Sequence, residues 1–366
     1  MANINNYLEW RGDLNLKIDG FNEIDSLILA RFSYLPLDKI KLDKKETVKS
    51  INKKLNLLNI NNFRFKEDKL MVNLMAKSIR FSNLEVSDYI KKDDKKAEKQ
   101  FGAVTIHLSD KELYVSFLGT DGSINGWKED FNMSFMDDIS CQIEGKKYLQ
   151  SISDKYKNTT LRVGGHSKGG NVAIYSSVRS SETIKNRIIK VYNYDGPGFS
   201  NHFIDKYFDS NFTSKIETYL PEDSFVGRIL NHKSKISVTK SVSKGVNQHD
   251  IYSWQVLGTN LIYSKSTTDN SEDFYKTIKE WLNDTVPEKR KLFFDIVFEL
   301  LYSSEKENIS EITSDITKTF PKIMKKYSKL SKEEKNTVIQ MIGLFVKKYI
   351  DIRGNREKLK IIKNEK

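Results

Sequence analysis

A glycine-rich turn with a serine at its centre occupies residues 165–169, which read Gly-His-Ser-Lys-Gly and match the pattern G-x-S-x-G. It lies between a run typical of a β-strand, at 159–163, and a segment with helical spacing, at 171–175. A serine on such a strand-to-helix turn stands at the top of a sheet, and the small residues two positions away let the chain turn sharply. The pattern therefore predicts that Ser167 is a nucleophile.

Two other glycine-rich turns are excluded by residue type. A dinucleotide-binding fingerprint needs glycine at its first, third and sixth positions, but the third position counted from Gly164 is His166. A phosphate-binding P-loop needs Lys and then Ser or Thr after its second glycine, whereas Gly170 and Asn171 follow Gly169. We therefore expect no cofactor and no metal at this turn.

A serine nucleophile needs a base that accepts its proton. The chain has five histidines, and three of them follow Ser167, as the chain order Ser, acid, His requires. His202 follows the serine too soon to leave room for an acid-bearing strand, and His232 is predicted to be a surface residue. His249 lies in a loop after the last β-rich run, so we predict that it is the general base. The other two histidines are predicted to be structural: His107 and His166.

The acid that would orient His249 has two candidates, because two predicted strands each end near an aspartate. Asp223 follows the strand that ends at Leu220, and Asp195 follows the strand before it. Asp195 lies in a glycine-proline turn, where an aspartate commonly bonds local backbone amides, and Asp223 could equally cap the next helix. We favour Asp223, because the strand before the histidine is the usual acid position in this type of enzyme, with Asp195 as the alternative.

The oxyanion formed by a serine attack needs hydrogen-bond donors. One donor comes with the turn itself, the backbone N–H of Lys168. The second should come from the turn after an earlier strand. Residues 116–131, SFLGTDGSINGWKEDF, occupy that place in the chain.

The elements that would position these residues fall into three zones. Residues 1–85 are predicted to be a helical N-terminal region packed on the core. Residues 86–270 begin with a hairpin around 109–111 and continue with β-rich runs that alternate with helical segments, which indicates a mostly parallel sheet covered by helices. Residues 271–366 are predicted to be a C-terminal helical appendage, with capping boxes at Thr285 and Ser331 as helix starts.

Composition is that of an ordinary globular chain of 366 residues, with 38% hydrophobic and 30% charged residues. The net charge of +12 could indicate an anionic partner, but the lysines are mostly interleaved with acids and no nucleic-acid-binding motif accompanies them. The first residues contain no apolar core of a signal peptide, and Cys141 is the only cysteine. We therefore expect a cytoplasmic protein without a disulfide, a transmembrane segment or a nucleic-acid partner.

The run Phe117, Leu118, Gly119, Thr120, followed by Trp127 and Asp130, resembles the "F-R-G-T … W … D" block of the class 3 lipases. The turn Gly-His-Ser-x-Gly-Gly is also similar to theirs. The resemblance implies that Thr120 is the second oxyanion donor, since the Ser or Thr after the glycine contributes to that site in the family. Leu118 stands where the family has an arginine, and Lys168 where it has a leucine.

A closer resemblance is to an uncharacterised bacterial family of α/β-hydrolases, the Mbeg-like family, which is related to those lipases. The segments that carry it extend over nearly the whole chain: YLEWRGDL, FNEIDSLILARFSYL, DFNMSF, SKGGNVAIY, DGPGF, QHDIYSW and the EWL…PEKR tail. The resemblance implies an α/β-hydrolase fold and a catalytic serine, and it implies no particular substrate.

Together these features predict a cytoplasmic serine hydrolase that is lipase-like or esterase-like. Ser167, His249 and an aspartate would cleave a carboxylic ester, either a small molecule or a lipid, through an acyl-enzyme intermediate. The alternative is a hydrolase fold that no longer turns over and serves as a binding or scaffold module. Peripheral contact with a membrane stays open, and the sequence does not define the oligomeric state.

Overall fold

The computed structural model describes residues 1–94, 96 and 98–364, with the backbone alone for 359–364, so the last two residues of the expected appendage lie outside the described part. The helices are α1 (Ile4–Arg11), α2 (Glu23–Phe32), α3 (Val48–Leu55), α4 (Lys66–Lys77), α5 (Ile124–Asn132), α6 (Ser140–Lys155), α7 (Lys168–Val178), α8 (Glu182–Arg187), α9 (Asn201–Tyr207), α10 (Ser210–Thr213), α11 (Asp269–Asn283), α12 (Pro287–Tyr302), α13 (Ile309–Ser314), α14 (Ile316–Ser328) and α15 (Lys332–Asn364). The strands are β1 (Lys45–Thr47), β2 (Glu85–Asp94), β3 (Lys99–Ser109), β4 (Glu112–Phe117), β5 (Thr160–His166), β6 (Ile188–Tyr194), β7 (Ile216–Pro221), β8 (Ile236–Thr239), β9 (Val256–Leu257), β10 (Asn260–Leu261) and β11 (Tyr263–Ser264).

The described strands form one large sheet in the order β1-β2-β3-β4-β5-β6-β7-β8-β11, and β9 pairs separately with β10. Strands β4 to β8 are parallel, while β1 to β3 extend the sheet at one edge and β11 at the other by antiparallel pairing. The hairpin that the sequence predicts around 109–111 is present as β3 and β4.

Both faces of the sheet are covered, which explains why its central strands alternate between two hydrophobic cores. On β4, Tyr114 packs into a core with the N-terminal helices, and Val115 packs into a second core with α6 and α7. On β6, Tyr192 and Val191 divide between the same two cores. The mostly parallel sheet with helices on both faces agrees with the α/β-hydrolase fold that the sequence predicts.

The parallel strands all point their carboxyl ends toward one edge, where ligands bind in open α/β sheets. The register aligns Phe117 on β4 with Gly165 on β5, and His166 on β5 with Tyr194 on β6. The turns after these strands, which contain Thr120, Ser167 and Asp195, therefore meet at that edge.

Among the helices from α11 onward, α12 packs against the core through α5. Phe294 and Phe298 on α12 lie with their ring centroids 4.7 and 5.8 Å from that of Phe131 on α5. At the start of α15, Ser331 and Glu334 exchange hydrogen bonds as the predicted capping box requires. The capping box predicted at Thr285 is wrong, because α12 begins at Pro287 and the Thr285 hydroxyl donates to the carbonyl of Trp281.

Candidate active site

Ser167 lies on a strained turn between β5 and α7. Its backbone has φ 59° and ψ −136°, a conformation that residues with a side chain rarely adopt. A Cβ atom at Gly165 would lie 2.3 Å from the carbonyl carbon of Gly169, and one at Gly169 would lie 2.2 Å from the carbonyl oxygen of Phe117. Because only glycine avoids both clashes, these two positions allow the turn to be this sharp.

The Ser167 hydroxyl has no structural task at the start of α7. Ser167 occupies the N-cap position, where a serine usually accepts a hydrogen bond from the helix backbone, but its side chain makes no capping bond. The side chain is largely buried, since the residue is 7% exposed. The Ser167 hydroxyl thus lies at the carboxyl edge of the sheet and makes no hydrogen bond that stabilises the start of α7.

His249 ends a short 3-10 helix, Gly245–His249, and its imidazole meets a buried carboxylate. The Nδ1 atom of His249 lies 2.6 Å from Oδ2 of Asp195. Asp195 is fully buried directly after β6, and its Oδ1 atom accepts hydrogen bonds from the Ser224 hydroxyl at 2.5 Å and the Gly227 N–H at 3.2 Å. These bonds fix the carboxylate, and the carboxylate in turn fixes the tautomer of His249 with its proton on Nδ1.

The structure corrects the preference for Asp223, because its carboxylate does not contact the His249 ring. Oδ1 of Asp223 accepts a hydrogen bond from the Thr268 hydroxyl, and Oδ2 accepts one from the Gly245 N–H at 3.1 Å. The Asp223 N–H donates to Oε1 of Gln248 at 2.8 Å. Asp223 therefore holds both ends of the short helix that carries His249, while the alternative acid, Asp195, contacts the imidazole.

His166, the residue before the serine, holds the His249 loop against the turn. Its Nε2 atom lies 2.8 Å from the carbonyl oxygen of His249, its Nδ1 atom lies 3.1 Å from the Tyr34 hydroxyl, and the two imidazole centroids are 4.5 Å apart. Burial lowers the pKa of His166 well below its usual value, so the ring is neutral. This contact places the imidazole of His249 against the ring of His166, the residue that directly precedes Ser167.

A direct hydrogen bond between Ser167 and His249 is not formed in this conformation. Among the described residues, Asp195 is the one hydrogen-bonding partner of the His249 ring. Catalytic hydrogen bonds are often long or absent before a substrate binds and form only in the complex. The arrangement thus contains a carboxylate and an imidazole in contact, with a serine directly after the histidine that holds this imidazole in place.

The remaining histidines differ in their surroundings. His107 lies 2.9 Å from the Ser87 hydroxyl within the sheet, and His202 is exposed near Asp137. The sequence predicted that His232 is a surface residue, but its ring is hydrogen-bonded within the fold. Its Nε2 atom lies 2.7 Å from the carbonyl oxygen of Gly227, and burial lowers its pKa.

Thr120 lies directly beyond the end of β4, beside the serine turn. A Cβ atom on the preceding Gly119 would lie 2.5 Å from the carbonyl oxygen of His166 and 3.1 Å from Cβ of Ser167, so the two turns touch. The Thr120 hydroxyl donates to Oδ2 of Asp130 at 2.5 Å. Within the described chain, neither the Thr120 N–H nor the Lys168 N–H donates to a protein acceptor.

The side chain of Lys168 enters a buried ion pair that the sequence analysis did not foresee. Its Nζ atom lies 2.9 Å from Oε2 of Glu129 on α5 and 3.1 Å from the carbonyl oxygen of Gln100, and both charged side chains are 1% exposed. Oδ1 of Asp130 lies 3.8 Å from the same Nζ atom. The signal available in the sequence was a lysine in place of an apolar residue after the serine, together with the adjacent acids 129 and 130.

Burial also changes the proton affinity of Asp130. It raises the pKa of Asp130 from 3.8 to about 6, although the charge of Lys168 and the hydrogen bond from Thr120 oppose this change. The partner of the Thr120 hydroxyl is thus a carboxyl group that titrates only slightly below neutral pH.

Neither a cluster of metal-ligating side chains nor a membrane-spanning helix occurs in the part of the chain that is described. No group of three or more His, Cys, Asp or Glu side chains there could hold a metal ion. None of the helices described has both the length and the apolar character needed to cross a bilayer.

Comparison with known proteins agrees with the family that the sequence motifs predict. Similar solved structures include the Lip2 lipase from Yarrowia lipolytica, which is 14% identical, with a TM-score of 0.34 over 58% of this chain and 75% of that chain. No curated protein matches. A family model described as Mbeg1-like matches residues 75–299, more than half of the chain, and this range includes the serine turn, both aspartates and His249. This protein therefore belongs to the Mbeg1-like family.

Proposed function

We propose that the protein is a serine hydrolase that cleaves a carboxylic ester with Ser167, His249 and Asp195. The observation that carries the proposal is the combination of an unused serine hydroxyl on a strained turn with an adjacent histidine whose Nδ1 atom is held by a buried carboxylate. This is the set of roles that serine hydrolases on unrelated folds share.

In the first half of the reaction, Oγ of Ser167 attacks the ester carbonyl and its proton passes to Nε2 of His249. Asp195 keeps Nδ1 protonated and stabilises the imidazolium that forms. The tetrahedral intermediate then expels the alcohol, which takes the proton from Nε2, and leaves an acyl group on Ser167. In the second half, His249 takes a proton from water as the water attacks the acyl group. The bond from the acyl carbon to Oγ of Ser167 then breaks, Nε2 returns the proton to Oγ, and the acid is released.

The oxyanion donors in this scheme are backbone groups. The Thr120 and Lys168 N–H groups have no protein acceptor among the described residues, and Lys168 also begins α7, whose N-terminus favours negative charge. The Thr120 hydroxyl donates its one hydrogen bond to Asp130, so it is not available to the oxyanion. Its contribution is therefore to fix the turn so that the Thr120 N–H points to the oxyanion.

The substrate class in this proposal is a carboxylic ester, and an acyl lipid is one member of that class. The compartment we expect is still the cytoplasm. Both statements rest on the sequence, and the serine chemistry can be tested without either of them.

The test is covalent labelling by a fluorophosphonate probe, followed by mass spectrometry of the labelled peptide. Wild-type protein should be labelled at Ser167, and His249→Ala should suppress labelling, because an unassisted serine hydroxyl is a poor nucleophile near neutral pH. His202→Ala is the matched control, since its side chain is exposed and distant in sequence from the candidate base. Labelling of Ser167→Ala at the wild-type rate would mean that the reactive nucleophile is another residue. No labelling of the folded wild type would instead favour a binding or scaffold module.

A further inference from the structure

A cavity of about 440 Å³ lies between the hydrolase core and the C-terminal helices. Its volume is in the range of small-molecule sites, roughly 300–1,000 Å³. Its walls come from residues 133–137 after α5, residues 200–202 at the start of α9, residues 228–231, and helices α11 and α12. Ser167, Thr120 and His249 are not part of the lining, so this cavity is separate from the candidate active site.

One part of the cavity lining is apolar. It consists of side chains from both the core and the appendage: Met133, Phe135, Met136, Leu230, Ile278 and Leu282. These residues form no charged or hydrogen-bonded surface that a fully polar ligand would need. They fit an aliphatic chain, because burial of such a chain against them removes apolar surface from water on both sides.

The lining also contains three cationic side chains: Arg228, Lys279 and Arg290. Arg228 donates through Nη2 to Glu272, and its guanidinium carbon lies 4.1 Å from the centroid of the Tyr275 ring. Its Nε atom is buried and has no hydrogen-bond partner among the described residues. The chain therefore does not satisfy all five N–H groups of this guanidinium.

Arg290 presents the same feature without a carboxylate partner. Its Nη1 atom donates to the carbonyl oxygen of Leu282 at 3.2 Å, while its Nε atom is buried and unpaired within the described residues. Burial lowers the pKa of Arg290, which still leaves the guanidinium charged at neutral pH. The carboxylate in the lining, Asp137, instead accepts a hydrogen bond from Ser200 at 3.1 Å and lies 3.8 Å from His202.

We propose that this cavity binds an amphiphile with an anionic head, a carboxylate or a phosphate, and an aliphatic chain. The head pairs with the guanidinium groups of Arg290 and Arg228, which are suited to bidentate contact with such oxygens. The chain lies against the apolar residues from α11 and the loop after α5. The inference does not depend on ester hydrolysis, because none of its residues belongs to the candidate active site.

The experiment is isothermal titration calorimetry of the full chain with Ser167→Ala, so that no ligand is turned over. The ligands are octanoate, octyl phosphate, 1-octanol and acetate. At least one of the two anionic octyl ligands should bind saturably, and the tighter of them identifies the head group. Octanol should bind about tenfold or more weakly, and acetate should show no saturation.

Variants locate the binding in this cavity. Arg290→Gln should weaken the anionic ligand about tenfold, whereas Lys289→Gln, an exposed neighbour outside the lining, should leave affinity unchanged. Ile278→Trp should fill the apolar part and abolish binding while the melting transition stays cooperative. Arg290 is the test position because a change at Arg228 would alter the residue next to Gly227, whose N–H donates to the Asp195 carboxylate of the candidate active site.

The proposal is overturned if neither octanoate nor octyl phosphate binds saturably. It is also overturned if octanol binds as tightly as octanoate, or if Arg290→Gln binds the anion with wild-type affinity. Wild-type affinity in a folded Ile278→Trp protein would also overturn it, because the ligand would then lie elsewhere. Fluorophosphonate labelling of wild-type protein is independent of all these results.

Discussion

The Nδ1 atom of His249 lies 2.6 Å from Oδ2 of Asp195, a carboxylate that is fully buried and also bound by Ser224 and Gly227. Asp223 bonds to the same loop at Gly245 but not to the imidazole. The two aspartates thus have different tasks: one contacts the ring, and the other holds the segment that carries it. This difference leads to the first prediction.

Asp195→Asn should lower ester turnover by about 10⁴, the effect that loss of the orienting carboxylate has in trypsin-type enzymes, because the amide favours the wrong histidine tautomer. Asp223→Asn should lower turnover by less than about tenfold and mainly lower the melting temperature, because it weakens the bonds to Gly245 and Thr268. Turnover and thermal unfolding of both variants should be measured with one ester. Full activity of a folded Asp195→Asn protein would contradict the assignment.

The buried pair of Lys168 and Glu129 predicts a strong coupling in stability. Lys168→Met should lower the free energy of unfolding by about 3–5 kcal/mol, because it leaves Glu129 charged and buried without its partner. The double variant Lys168→Met, Glu129→Gln should be more stable than the sum of the single changes predicts, by at least about 1 kcal/mol. Urea denaturation of the single and double variants measures this coupling.

Lys147→Met is the matched control for that cycle, since Lys147 is 69% exposed in its ion pair with Glu144. It should change the free energy of unfolding by less than about 0.5 kcal/mol. Strictly additive effects of the Lys168 and Glu129 changes would mean that the pair contributes no specific interaction.

The raised pKa of Asp130 predicts how the free energy of unfolding changes with pH. Its pKa is raised from 3.8 to about 6 in the folded chain, so between these values the unfolded state loses its proton while the folded state keeps it. The free energy of unfolding of wild type, relative to Asp130→Asn, should therefore fall as pH rises from 4 to 6 and level off above. The fall between pH 4 and pH 6 should be about 2 kcal/mol.

Urea denaturation of wild type and Asp130→Asn at pH values from 4 to 7 would measure that difference. The asparagine variant removes the titration and retains the shape of the side chain. If the free energy of unfolding of wild type instead rose with pH relative to Asp130→Asn, the pKa of Asp130 would be depressed in the folded state, which would contradict the raised value.

The contact between α12 and α5 predicts that the C-terminal helices stabilise the core. Phe294→Ala should lower the free energy of unfolding by about 3–5 kcal/mol, because it removes a buried ring that packs on Phe131. Deletion of residues 285–366 should expose Ile124, now 1% exposed, and lower solubility. Thermal unfolding and light scattering measure both effects.

Phe320→Ala is the control for the aromatic truncation, because the Phe320 side chain is 54% exposed on α14. It should change stability by less than about 0.5 kcal/mol. A truncated chain that melts as cooperatively and at the same temperature as the full chain would mean that the appendage does not support the core.

The sequence by itself determined the features that depend on residues close together along the chain. The position of Ser167 on a strand-to-helix turn follows from the glycines at 165 and 169, since a side chain at either would clash with backbone. The strands around it follow from short β-branched runs, and the start of α15 follows from the capping box of Ser331 and Glu334. The α/β-hydrolase fold is the result of these local patterns in succession.

Tertiary structure alone decided which distant side chains meet. Strands β6 and β7 both end at the same edge of the sheet, so spacing along the chain could not distinguish Asp195 from Asp223 as the partner of His249. The pairing of Lys168 with Glu129 depends on how α5 packs behind the serine turn, and the two residues are 39 positions apart along the chain. Such contacts form where turns and helices of different chain segments converge, and burial then sets their strength, because charges removed from water must find partners within the fold.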